Sequence, residues 1–303
     1  MHTVGFQAIG TAWTLSTPDP LEASVQAAVA ELVQDYDRTW SRFRSDSTVA
    51  RMADGAGSFE LPGSAAGLLR LFDALNRLTD GAVNPLVGRS LEVLGYDAAY
   101  SFRVWGPSLP AAAWAETVSW TEAQGGSGAG GSGAGGSGAG VTVRTSAPVT
   151  FDIGAAGKGQ LVDLVCGVLE SAGVRRYVVD AGSDLRHAGA EPLRVALEHP
   201  YDPARAIGVL TLADRALCAS AVNRRRWGEG LHHVLDARTG APVDAVAATW
   251  AVAADAMTAD GLATALFFAD PQTLAAVFDF DYVRMFTDGR ADYSPAMAGV
   301  LFP

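Results

Sequence analysis

With 303 residues, 49% of them apolar and 18% charged, the chain can bury a substantial core and does not have the composition of a disordered protein. A net charge of −11 argues against general nucleic-acid binding, which needs a basic face. The two cysteines, Cys166 and Cys218, lack CxxC spacing, so neither a disulfide framework nor a thiolate metal cluster is expected, and a reducing compartment fits.

The N-terminal stretch MHTVGFQAIGTAWTLS has no basic leader region, no long apolar segment and no lipobox cysteine. No run of about 18 apolar residues follows that could span a membrane. The expected address is cytoplasmic, and a leader upstream of Met1 would change it. Asp19-Pro20-Leu21-Glu22 reads as a capping box with proline in the first helical position. Val25, Val29, Leu32, Val33, Tyr36 and Trp40 then recur at helical spacing. A second helix carries Leu68, Leu69, Phe72, Leu75 and Leu78 and stops at Gly81. From Gly125 to Gly140 the text is GGSGA three times and a final glycine, which predicts a flexible surface loop because strand-like text resumes at once.

Beyond the loop a strand is predicted at 149–153 and a helix at 158–172, stopped by Gly173. Strand-like runs follow at 176–180, 193–198, 206–212, 216–221, 232–236 and 248–254. A helix starts near Thr258, another after Pro271, and YVRMFTD closes as a strand. Clustered strands with separate helices predict an α+β fold rather than regular βαβ repeats.

Four polar islands interrupt the apolar text. FDIGAAGKG, from Phe151, runs from a predicted strand into a predicted helix. Helix starts favour anions, and Lys158 adds a point charge suited to phosphate. The glycine spacing is too short for a P-loop, and Gly159 stands where that motif needs Ser or Thr. A plain turn with a solvated lysine is the alternative. YVVDAGSDLRHAG starts at Tyr177. HHVLDARTGAP, from His232, offers a general base near neutral pH. One of its two histidines is expected to be functional, with His232 the more expendable and Asp236 bracing the turn. In the fourth island Asp260 and Thr264 stand one helical turn apart, so both oxygens share a helix face. A carboxylate with a hydroxyl suits Mg²⁺, which fills its shell with water and substrate phosphate. A helix cap plus a core threonine is the alternative there, and Asp255 is a rival ligand.

In this order, the islands resemble the FAD:protein FMN transferase family, often called ApbE. The family pattern has a D-x-G-A-x-x-K-G turn, a Y-x-V-x-x-G-G-D strand, an H-x-x-D-P-x-T-G turn and an A-D-A-L-x-T-A helix. They stand here as Asp152–Gly159, Tyr177–Leu185, His233–Gly240 and Ala259–Ala265. Gln7-Ala8-Ile9-Gly10-Thr11 is similar to the family's opening M-G-T strand. Trp40-Ser41-Arg42-Phe43-Arg44-Ser45-Asp46-Ser47 is similar to its S-x-Y-x-P-D-S segment, and Asp80-Gly81-Ala82-Val83-Asn84-Pro85 to its G-A-F-D-P. Departures are Phe43 for tyrosine, Val83 for an aromatic, Asn84 for aspartate, Ser183 for the second glycine and Ala237 for proline.

The resemblance implies one FMN transferase domain over 1–303, compact and T-fold-related, with mixed sheets and flanking helices. It implies FAD as substrate, Mg²⁺ as cofactor, and transfer of FMN through a phosphoester to a Thr or Ser of an acceptor protein, releasing AMP. Ile9, Phe43, Ala82, Val83, Asn84, Asp152 and Lys158 are then expected at the flavin nucleotide. Ala155, through its carbonyl, is expected with Asp260 and Thr264 at Mg²⁺, and His233 as the base for the acceptor hydroxyl. An FAD pyrophosphatase giving FMN and AMP, or a non-catalytic FAD-binding protein, is the alternative.

Overall fold

The computed structural model describes residues 1–123 and 140–302. All but the last residue of the expected 125–140 loop therefore lies outside the described residues. On either side of it, Val118–Glu122 and Val141–Thr145 pair antiparallel, and the Ala123 N–H donates to the Gly140 carbonyl at 2.8 Å. The repeat thus joins two paired strands. The described residues divide into two compact units: 1–23, 155–234 and 242–303 form one, and 24–154 with 235–241 the other. Among them no helix is long and apolar enough to cross a membrane.

The first unit is built on an eight-stranded sheet. Its strands run in the order His2–Ala8, Thr11–Thr17, Tyr177–Asp180, Asp184–Ala188, Ala216–Ala221, Val246–Ala253, Asp281–Phe286 and Ala291–Tyr293, each antiparallel to its neighbour. The Val246–Ala253 strand is buried at every position, so both sheet faces are covered there. Strand alternation separates its side chains by face. Ala248, Trp250 and Val252 join Leu197, Leu210 and Leu212 of the hairpin formed by Leu193–His199 and Asp202–Leu212. Thr249 points the other way and donates to the Ala263 carbonyl of the Ala256–Ala265 helix. Its companions on that face, Ala247, Ala251 and Ala253, are small, which lets the helix sit close.

The Ala256–Ala265 helix packs against a second helix, Gly157–Ser171. Gly159 shows how tightly. A Cβ there would stand 2.1 Å from the Ala256 carbonyl oxygen and 2.8 Å from the Asp260 Cβ. Asp163 ties the pair further by accepting from the Ala256 and Met257 N–H groups, satisfying donors that a helix start leaves orphaned.

The second unit holds the helices Ala23–Trp40 and Ala65–Leu78 and a three-stranded sheet of Gly57–Leu61, Val141–Thr145 and Val118–Glu122. Of the predicted apolar face of the second helix, Leu68, Leu69, Phe72 and Leu75 are fully buried and Leu78 is half-buried. Asp73 on that helix accepts from both the Trp114 and Trp120 indoles, at 2.6 and 3.1 Å.

Four local expectations are corrected. The first helix starts at Ala23, past the Asp19–Glu22 box, and the Asp19 carbonyl instead accepts from the Thr17 hydroxyl. Ile9 and Gly10 form the turn of a hairpin in which Ala8 faces Thr11, not the middle of a strand. Residues 149–153 have no strand partner: the Val149 N–H bonds to the Met52 carbonyl and the Asp152 N–H to the Pro85 carbonyl. The run at 232–236 is broken into two two-residue strands, Leu231–His232 and Leu235–Asp236.

Candidate active site

In the first unit the start of the Gly157–Ser171 helix meets the Ala256–Ala265 helix. The Thr264 hydroxyl donates to the Ala155 carbonyl at 3.1 Å. One turn earlier on the same helix, the Asp260 Oδ2 accepts from the Gly159 N–H at 3.0 Å. Asp260 is only 3% exposed. Three oxygens expected together are thus brought to one helix crossing: a carbonyl, a hydroxyl and a carboxylate. Asp255, the rival ligand, is used as the N-cap and accepts from the Thr258 N–H at 2.7 Å.

Burial pushes the Asp260 carboxyl well above the usual carboxylate range, and Asp184 pushes the same way while Lys158 opposes both. A dehydrated carboxylate beside a carbonyl and a hydroxyl has the donor chemistry of a hard divalent cation. Among the described residues no three His, Cys, Asp or Glu side chains gather where they could hold a metal ion. A cation here would rest on this mixed oxygen set, with Asp260 its charged protein donor.

Lys158 lies 2.9 Å from the Asp184 carboxylate, which is fully buried, and donates to the Ser183 hydroxyl. Burial alone would lower the lysine's pKa, but Asp184 and Asp260 outweigh it and hold it above its ordinary value. An ammonium has three donors, so a further one remains for an anion. The Asp184 partnership was missed in the sequence, where that aspartate passed as part of a strand motif.

His232 and His233 divide their roles. The His232 Nε2 lies 2.8 Å from the Val243 carbonyl, and its Nδ1 accepts from the Val234 N–H at 3.3 Å. Those partners require a neutral ring with the proton on Nε2. Burial lowers the pKa of His232 accordingly. His232 is therefore a structural brace and not the expendable neighbour that was expected. His233 follows it directly, half-buried. Ile9 occupies its turn with φ of 42°, a left-handed conformation that is a genuine outlier for a β-branched residue.

The other expected nucleotide residues belong to the second unit. The Arg42 Nε donates to the Asp152 Oδ2 at 2.6 Å, and the Gly154 N–H to its Oδ1 at 2.7 Å. Asn84 caps the short helix Pro85–Val87: its Oδ1 accepts from the Leu86 N–H and its Nδ2 donates to the Ala112 carbonyl, both at 2.9 Å. The second bond explains the departure from aspartate, since a carboxylate cannot donate. Ala82 and Val83 are buried beside it. The Ala82 carbonyl accepts from the Ala237 N–H, and the Val83 carbonyl from the Asn76 side chain. Phe43 stacks on Tyr100 with ring centroids 5.1 Å apart. Asp236 braces its turn as expected, accepting from the Arg238 and Gly240 N–H groups through side chain and carbonyl respectively.

The ApbE family model matches residues 9–285, most of the chain. The chain belongs to the ApbE family. A relative from Vibrio cholerae serotype O1 named FAD:protein FMN transferase is 26% identical over 281 residues, covering 89% of this chain and 80% of that protein. A solved structure of the flavin transferase ApbE from Vibrio cholerae superposes with a TM-score of 0.77 at 21% identity, covering 99% of both chains. The ApbE protein of Thermotoga maritima gives a TM-score of 0.79 at 21% identity, covering 100% of this chain and 99% of that one. At that identity the structural likeness establishes the fold, and the α+β architecture is that of ApbE proteins.

Proposed function

We propose that the chain is a Mg²⁺-dependent FAD:protein FMN transferase, that residues 1–303 act as one transferase domain, and that its acceptor is a Thr or Ser hydroxyl of a partner protein. The observation that carries the reading is the meeting of Ala155, Asp260 and Thr264 at one helix crossing, beside a lysine held cationic by a buried aspartate. Family membership adds to it: relatives across most of the chain's length are named for this activity.

In this reading Ala155, Asp260 and Thr264 hold Mg²⁺, which when bound neutralises charge on the FAD pyrophosphate. Lys158 presents its remaining N–H to a phosphate oxygen. Ile9, Phe43, Ala82, Val83, Asn84 and Asp152 line the flavin nucleotide. A hydroxyl is a weak nucleophile and needs a positioned base. His233 takes the acceptor's proton while the oxygen bonds to the FMN phosphorus. The P–O bond to the AMP half breaks, and AMP leaves with the electron pair. His232, fixed on both ring nitrogens, holds the backbone from which His233 projects.

The test is to incubate the chain with FAD, Mg²⁺ and a candidate acceptor, then measure acceptor mass and free AMP together. Transfer adds one FMN, less water, to the acceptor for each AMP released. FMN and AMP with no mass gain would identify a pyrophosphatase, and binding without AMP a carrier.

A further inference from the structure

Phe43 has two flat groups packed against its ring. The Arg42 guanidinium lies over the ring, 4.2 Å from its centroid. Tyr100 stacks on it with planes 3° apart and centroids at 5.1 Å. The two covers differ in how firmly they are held. Arg42 is 8% exposed, bonded to Asp152 at 2.6 Å and to the Tyr96 carbonyl at 2.8 Å. Removing it would leave the half-buried Asp152 carboxylate without its counter-charge. Tyr100 is 47% exposed, and its ring lies against other rings: Phe43, Tyr96 edge-on at 5.7 Å and Phe102 at 6.2 Å.

The backbone under Tyr100 is held. Asp97 accepts from the Ala99 and Ser101 N–H groups, each at 3.0 Å, and the Phe102 N–H donates to the Gly95 carbonyl at 2.8 Å. Tyr100 sits in this turn with φ of 49°, a left-handed conformation unfavourable for a bulky residue. Ordinary side chains avoid such a position, so the contacts around it must enforce it. The turn therefore aims an aromatic ring at Phe43.

We infer that Tyr100 is a gate on the flavin site, an aromatic stand-in that covers a face of Phe43 and swings out when the isoalloxazine ring of FAD stacks there. The inference rests on the proposed flavin role of Phe43. Because Tyr100 and the flavin compete for one face, the gate lowers the apparent affinity for FAD and favours ligands whose ring is large enough to outbid a phenol.

The experiment measures FAD affinity of the full chain by flavin fluorescence. Tyr100→Gly suits the left-handed backbone and removes the ring; Tyr100→Asn, also tolerant of that conformation, repeats the test if the glycine variant does not fold. The expected result is FAD binding tighter by about 2- to 12-fold, the range set by an aromatic pair, with Tyr100→Phe binding as the wild type. Unchanged or weaker binding in both ring-removing variants overturns the gate, as does equal tightening by Tyr100→Phe. Phe43→Ala, made in the Tyr100→Gly chain, separates the two claims. If it weakens FAD binding while removal of Tyr100 has not tightened it, the flavin role of Phe43 stands and the gate alone fails. If it leaves FAD binding unchanged, both fail.

Discussion

Lys158 and Asp184, 26 positions apart in the chain, form a buried ion pair at 2.9 Å beside the proposed metal ligand Asp260. The lysine thus has a structural duty as well as any duty to phosphate. Lys158→Met leaves Asp184 buried without its counter-charge, which costs about 3–5 kcal/mol for pairs of this kind. The double change Lys158→Met with Asp184→Asn should recover much of that loss. Urea unfolding of both chains checks it, and a double variant no more stable than the single one would rule out the pairing as the cause.

Gly159 is required by the helix crossing. Any side chain there meets the Ala256 carbonyl at 2.1 Å, so Gly159→Ala must push the two helices apart. Overpacking of this sort costs about 1–3 kcal/mol. The same displacement moves Asp260, whose carboxylate bonds to the Gly159 N–H. The variant should melt lower and need more Mg²⁺ for half-maximal turnover. A wild-type Mg²⁺ titration would show that the crossing does not position the ligands.

Asn84→Asp restores the family's residue yet is expected to destabilise this chain. The new carboxylate would face the Ala112 carbonyl, to which Asn84 now donates at 2.9 Å. Loss of that bond with two acceptors opposed costs about 1–3 kcal/mol. The penalty should shrink in acid, where a protonated aspartate can donate again. Thermal melts at neutral and acidic pH test the sign, and a penalty independent of pH would contradict it.

The sequence carried the islands well because each is a local pattern. Helical spacing from Leu161 to Leu169 gave the Gly157–Ser171 helix, ended by Gly173 in the left-handed region. Asp260 and Thr264 share a face because helix geometry alone puts them there. What failed depended on partners far along the chain. Val149-Thr150-Phe151 has strand-forming residues, but the Val149 N–H bonds to the Met52 carbonyl of the Thr48–Asp54 helix, and the Asp152 N–H just after it to the Pro85 carbonyl of the short Pro85–Val87 helix, instead of to a neighbouring strand. The Ile9-Gly10 turn was hidden because a β-branched residue at positive φ is not a turn signal. The bracing role of His232 needed the position of Val243, which no spacing supplies. Asp184 as the partner of Lys158 needed the sheet register.

His232 makes stability depend on pH. Burial lowers its folded pKa below the unfolded value near 6.5, so the unfolded chain binds the proton more readily. The stabilisation is complete above that unfolded value and is lost as pH falls toward the folded one. His232→Gln should lower stability at neutral pH and flatten the slope in this window. Melting temperatures across it check the point, and an unchanged slope would assign the titration elsewhere.

The most direct measurement of the central claim is the intact mass of an acceptor protein after incubation with FAD, Mg²⁺ and either the wild-type chain or His233→Ala. The wild-type chain should add one FMN, with AMP released in step. With His233→Ala, FAD binding should be as before but transfer slower by about 10²–10⁴-fold, the usual worth of a general base. Transfer at the wild-type rate by His233→Ala would place the base elsewhere. AMP released by the wild type with no FMN on any acceptor would contradict the transferase reading itself.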